Sequence, residues 1–196
     1  AEGAGGAPKK VVLEPGGSDP FIVMPSADLD KAVATAVRAR VQNAGQSCIC
    51  AKRMIVHAGV YDAFLEKFTA AMLAVKIGDP MADGVEMGPL SSVEQRDTVL
   101  EQVARAVADG ANLPGGAKID RDGAWMGAGV LTHVDPDADF AQEEIFGPVA
   151  MVFRAEDIDA AIALANDVPF GLGSSVWTRD QAEIDRTAAT RDLERS

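Results

Sequence analysis

Cys48 and Cys50 are the two thiols of the chain, and a thiolate is a side chain well suited to attack a carbonyl carbon near neutral pH. Their neighbours set them apart. Cys50 enters the apolar run Ile49-Cys50-Ala51 and reads as a small buried hydrophobe, the commonest role of a free cysteine. Cys48 follows the polar stretch Gly45-Gln46-Ser47, and nucleophiles are often held in such loops by a rigid element nearby. A disulfide between the two would close a strained ring. The spacing is also not the Cys-x-x-Cys of a dithiol redox motif. Residue chemistry alone makes Cys48 a candidate nucleophile, with burial as a packing residue the competing assignment.

A helix must deliver that thiol. Leu29, Val33, Val37 and Val41 recur every four residues, and Ala32 and Ala36 widen the stripe, the pattern of a helix lying on a core. Ser26 is placed to cap its start, and Asp28 and Asp30 put negative charge where the helix dipole favours it. Asn43 and Gly45 tolerate the left-handed backbone that ends a helix.

Around this element, short apolar runs predict strands at 10–14, 21–24, 51–57, 130–134, 149–153 and 174–177. Tyr61, Phe64, Leu65, Phe68 and Met72 form a helical stripe. A second helix opens at the capping box Ser92-x-x-Gln95, runs along Val99, Leu100, Val103 and Val107, and closes at Gly110. Helices are also predicted at 157–166 and from Asp180 onward, and 113–128 reads as loop. Strands alternating with helices imply an α/β fold, an open mostly parallel sheet with helices on both faces.

Composition excludes several functions. With 47% hydrophobic residues among 196, the chain suits one globular domain that buries about 70% of its unfolded surface. No apolar run reaches the roughly 20 residues that span a bilayer, and no basic segment leads into an apolar core at the start. A net charge of −12 with 30 acidic residues repels phosphate, so no nucleic acid and no anionic membrane is expected as partner. Two unpaired cysteines suit a reducing, cytoplasmic setting. His57 and His133 lie outside every motif, and no metal constellation is visible.

Three stretches carry a family resemblance. Asn43-Ala44-Gly45-Gln46-Ser47-Cys48 resembles the catalytic cysteine signature of the aldehyde dehydrogenase superfamily. Leu13-Glu14-Pro15-Gly16-Gly17 resembles its general-base motif, and Glu143-Glu144-Ile145-Phe146-Gly147-Pro148-Val149 its cofactor-contacting motif, all in the family's order. The segments from Gly17 to Asp30 and from Pro169 to Thr178 are most similar to the NADP-type succinate-semialdehyde dehydrogenase subfamily.

The resemblance implies that Cys48 is the nucleophile and Glu14 the general base, that Glu144 contacts the ribose of NADP or NAD, and that Phe146 packs by the nicotinamide. It also implies that the Cys48 N–H helps hold the oxyanion, with Asn43 and Gln42 in the substrate or oxyanion neighbourhood. Gln42 stands where some members carry an arginine for the substrate's distal carboxylate, so neutral hydrogen bonding is expected there. Without the motifs, Glu14 and Glu144 would read as solvated charges at a strand end and on a loop. The implied partner is a small aldehyde, and the implied assembly is a homo-oligomer of the full-length protein.

Residues 1–15 then correspond to the end of the coenzyme-binding domain with the catalytic-base strand, and 16–196 to a catalytic domain truncated at its C-terminus. Pro15 departs from the base motif and biases Glu14 toward an extended conformation. Met126-Gly127-Ala128-Gly129-Val130 departs from the family pattern, and no physical reason for it is apparent. Two rival functions stand beside the enzyme: a non-catalytic fragment or association module, and a cofactor-free thiol esterase. The isolated chain is expected not to reduce NAD(P)⁺, because one ribose contact falls far short of the roughly 8 kcal/mol of micromolar binding.

Overall fold

A computed structural model describes residues 16–189 of the chain. The expected strand at 10–14, Glu14 and Pro15, and the charged tail from 191 lie outside the described residues. Five strands form one sheet: β1 (Asp19–Val23), β2 (Ala51–His57), β3 (Gly129–Leu131), β4 (Val149–Ala155) and β5 (Ser175–Trp177), in the order β3-β4-β2-β1-β5. Every pairing is parallel. At the centre Phe21 stands opposite Met54, and Met54 opposite Val152.

Parallel neighbours require crossovers, and helices supply them. α1 (Leu29–Val41) links β1 to β2, α2 (Tyr61–Leu73) and α3 (Val93–Ala108) precede β3, α4 (Ile158–Asn166) links β4 to β5, and α5 (Gln181–Ala189) follows. The central strands are unbroken apolar runs because both of their faces are covered; all of β1 is buried, as are Met54, Ile55 and Val56. Successive residues of a strand point to opposite faces. Lys52 reaches the turn after α1, and Arg53 reaches the end of α4. The α/β architecture with a parallel sheet is the one expected. No helix among the described residues is long and apolar enough to cross a membrane.

Four details differ from the sequence reading. Asp28, not Ser26, caps α1, its carboxylate accepting from the Lys31 N–H at 3.2 Å. Ser26 instead joins the chain beyond β5, its Oγ accepting from the Arg179 N–H at 2.7 Å. The capping box is half made: Ser92 accepts from the Gln95 N–H, while the Gln95 side chain leaves for Phe146. β3 ends at Leu131 because His133 turns to a φ of 56°. The predicted loop 113–128 has no strand, yet Ala124, Trp125 and Met126 are buried in it. Its glycines prevent a long ladder, and its apolar residues seal against α3, where Arg96 donates to the Gly123 carbonyl at 2.9 Å.

Candidate active site

The helix that delivers Cys48 ends in a left-handed turn over Gln42–Gly45. Asn43, Ala44 and Gly45 take φ values of 51°, 53° and 74° in succession. Asparagine enters this region readily, and its amide locks the turn by donating to the Gln46 carbonyl at 2.9 Å. Gly45 is required by space as well as φ, since a Cβ there would lie 2.2 Å from the Gly147 carbonyl oxygen. Gln46 Oε1 accepts from the Ser91 N–H at 2.9 Å. The signature residues around Cys48 are thus positional: each shapes the turn or fastens it to a neighbour.

Beyond the turn, Cys48 is half-buried and Cys50 fully buried. The Cys50 thiol donates to the Gln42 carbonyl at 3.5 Å. This is the division the flanking residues predict. Gln42 and Asn43 are exposed on the turn's outer side.

Two buried cations stand behind the turn. Arg40, in the last turn of α1, donates from Nη2 to the Gly45 carbonyl at 2.6 Å, and burial pulls its pKa down to about 10. Lys52 is wholly buried. Its Nζ donates to the carbonyls of Ser47 at 2.8 Å, Cys48 at 2.9 Å and Cys50 at 3.3 Å. It also forms an ion pair with Glu144 Oε1 at 3.1 Å. Burial and the nearby Arg40 push the Lys52 pKa down, and Glu144 pushes it back up.

Glu144 is brought there by α3. Gln95, Gln102 and Arg105 lie on one stripe of that helix. Gln95 donates to the Phe146 carbonyl at 2.9 Å and Gln102 to the Glu144 carbonyl at 3.1 Å. Arg105 grips Glu143 with two hydrogen bonds of 2.7 and 2.6 Å, which hold the Glu143 carboxyl below its usual range. Glu143 therefore faces outward to α3 and Glu144 inward to Lys52. Phe146 is half-buried beside the Gly147 contact with Gly45.

The chain leading in from Glu14 meets this same point. A Cβ on Gly16 would touch Glu144 Oε2 at 2.5 Å, and one on Gly17 the Cys48 carbonyl oxygen at 2.5 Å. Glu14 itself lies outside the described residues.

Cys48, Glu144, Phe146, Asn43 and Gln42 are thus brought into one neighbourhood. The sequence reading missed Lys52, Arg40 and the three clamping residues of α3. A signal existed for Lys52 and for the α3 residues. Lys52 and Arg53 open an otherwise apolar strand, and Gln95, Gln102 and Arg105 recur at helical spacing near the core face.

Comparison with known proteins identifies the family. A model described as the aldehyde dehydrogenase family matches residues 1–193. The NADP(+) succinate-semialdehyde dehydrogenase 1 of Mycobacterium tuberculosis is 54% identical over 181 residues, which are 92% of this chain and 40% of that protein. The NADP(+) succinate-semialdehyde dehydrogenase of Mycolicibacterium paratuberculosis is 55% identical over 184 residues, 93% of this chain and 39% of that one. Among solved structures, lactaldehyde dehydrogenase from Escherichia coli superposes with a TM-score of 0.87 at 37% identity, covering 90% of this chain and 37% of its own. The chain therefore spans about 40% of the length of the curated relatives it matches.

Proposed function

The chain belongs to the aldehyde dehydrogenase family, and we propose that the whole protein oxidises a small aldehyde, succinate semialdehyde first, to its carboxylic acid with NADP or NAD as acceptor. The observation that carries this reading is the convergence of three chain segments: the Cys48 turn, the Glu144 loop, and Gly16-Gly17 following Glu14.

Cys48 Sγ bonds to the aldehyde carbon, and the carbonyl oxygen becomes an oxyanion beside the Cys48 N–H. Bound nicotinamide supplies the hydride acceptor. The thioester left on Cys48 is hydrolysed by water that Glu14 deprotonates, which releases the acid and restores the thiol.

The residues present fit such a dinucleotide. Glu144 keeps 17% of its side chain exposed; among the described residues its Oε1 accepts no hydrogen bond, and its Oε2 lies against Gly16. A carboxylate paired with Lys52 by charge and still partly exposed suits the hydroxyls of a ribose, with Phe146 beside it. The relatives named for NADP(+) favour that cofactor. The exposed Gln42 amide is the neutral donor available for a distal carboxylate.

Both cysteines are free, in keeping with a reducing cytoplasm, and the full-length protein is read as a homo-oligomer. The test compares kcat/KM for succinic semialdehyde and for an uncharged aldehyde of equal length, with NADP⁺, in the full-length polypeptide containing this sequence. A preference for the carboxylate is expected. Equal values would make Gln42 part of a general aldehyde site and remove the substrate assignment.

A further inference from the structure

We propose that Lys52 is a positioning residue that strengthens the oxyanion donor: its ammonium hydrogen-bonds the Ser47 carbonyl and so polarises the peptide unit whose N–H belongs to Cys48. This rests on the reading of Cys48 as a nucleophile that attacks carbonyl carbon.

Of the three carbonyls that Lys52 reaches, the Ser47 carbonyl belongs to the peptide unit that carries the Cys48 N–H. The Ser47 carbonyl oxygen accepts twice, from Lys52 Nζ at 2.8 Å and from the Cys50 N–H at 3.1 Å. The N–H at the other end of that peptide, on Cys48, donates to no acceptor among the described residues. A carbonyl loaded by two donors, one of them charged, draws electron density along the C–N bond and makes the free N–H a stronger donor. Lys52 has no exposed surface, so its charge acts in a region of low dielectric.

Its three protons face four oxygens, the three carbonyls and Glu144 Oε1. Three of these contacts are hydrogen bonds to backbone carbonyls. Glu144 offsets the charge of the ammonium and keeps it in place. The bond to the Cys48 carbonyl fixes the following peptide as well, so the donor is aimed as well as polarised.

The experiment uses the full-length polypeptide without nucleotide, so that the ribose contact of Glu144 does not enter. p-Nitrophenyl acetate acylates Cys48: the Sγ–carbon bond forms, p-nitrophenolate leaves, and an oxyanion develops on the way. Alkylation of Cys48 by iodoacetamide displaces iodide at a saturated carbon and builds no oxyanion at the attacked centre. Both rates are read at each variant's pH plateau.

Lys52→Met is expected to slow the p-nitrophenolate burst about 10- to 100-fold relative to alkylation, somewhat less than outright loss of an oxyanion donor. Lys52→Arg, which keeps a charged donor, should recover most of the ratio. Lys52→Met/Glu144→Gln, which removes the carboxylate left alone, should be no faster than the single variant. If the Met variant does not fold, Lys52→Gln takes its place, with a smaller drop in the same ratio.

Equal effects on acylation and alkylation would overturn the proposal, and so would recovery of the ratio in the double variant or absence of a burst in the unaltered protein. Aldehyde oxidation is assayed separately. Its absence, with the burst contrast intact, would sink the dehydrogenase reading and leave the role of Lys52 standing.

Discussion

Lys52 and Arg53 are adjacent, both buried, and on opposite faces of β2. Arg53 spends its planar fork on backbone, donating to the carbonyls of Ser18 at 2.8 Å, Leu164 at 2.6 Å and Ala165 at 2.8 Å. Burial brings its pKa to about 10, partly opposed by Asp19 and Asp167. It ties β1 and the end of α4 to the sheet. Lys52 gathers the Cys48 turn and a carboxylate from a distant loop. A fork with fixed directions suits a static junction; a point charge with rotatable donors suits a site whose acceptors lie at uneven angles. The same strand thus carries a structural cation on one face and a site-organising cation on the other.

The largest effects should come from removing these charges. Lys52→Met and Arg53→Met are each expected to lower unfolding stability by about 3–5 kcal/mol in denaturant titration, because each leaves buried acceptors without a donor. The comparison is sharpened by rescue. Adding Glu144→Gln to Lys52→Met should return part of the loss, since the stranded charge is then gone. No side-chain change of this kind can rescue Arg53→Met, whose acceptors are peptide carbonyls.

Next is Gly45→Ala. A methyl group at 2.2 Å from the Gly147 oxygen, on a backbone with φ of 74°, must push the turn from the Glu144 loop. A stability loss of about 1–3 kcal/mol is expected, together with slower alkylation of Cys48. Gln95→Ala breaks one bond to the Phe146 carbonyl and should cost about 1 kcal/mol, measured by thermal or denaturant melting.

The smallest effect belongs to the exposed face of α3. The Arg105 hydrogen bonds lower the Glu143 pKa from its ordinary 4.5. A depressed carboxyl adds stability that is complete above the ordinary value and lost as pH falls through the folded one. The unaltered protein should therefore lose slightly more stability than Glu143→Gln on acidification below pH 4.5. The difference should be under about 1 kcal/mol, because solvent screens so exposed a pair.

Much of the fold was legible in the sequence because the buried strands are continuous apolar runs, and the helix before Cys48 shows its stripe and its left-handed stop. Asn43 and Gly45 announce a turn. That Ala44 shares the positive φ does not show, because alanine has no preference for it and is carried there by its neighbours. The cap at Asp28 was misplaced by two residues, since Ser26 and Asp28 both cap well and only the contact of Ser26 with Arg179, beyond β5, decides between them. The Cys48 signature could be recognised, but not what holds it. Lys52 joins the site through backbone carbonyls, which no side-chain pattern encodes, and Glu144 faces inward only because Arg105 takes Glu143 outward.

The most direct test of Cys48 as the nucleophile is aldehyde-dependent NADPH formation in Cys48→Ala and Cys50→Ala of the full-length polypeptide. The account predicts background rates for Cys48→Ala at every aldehyde concentration and retained turnover for Cys50→Ala. Turnover that survives in Cys48→Ala, or is lost only in Cys50→Ala, would contradict it.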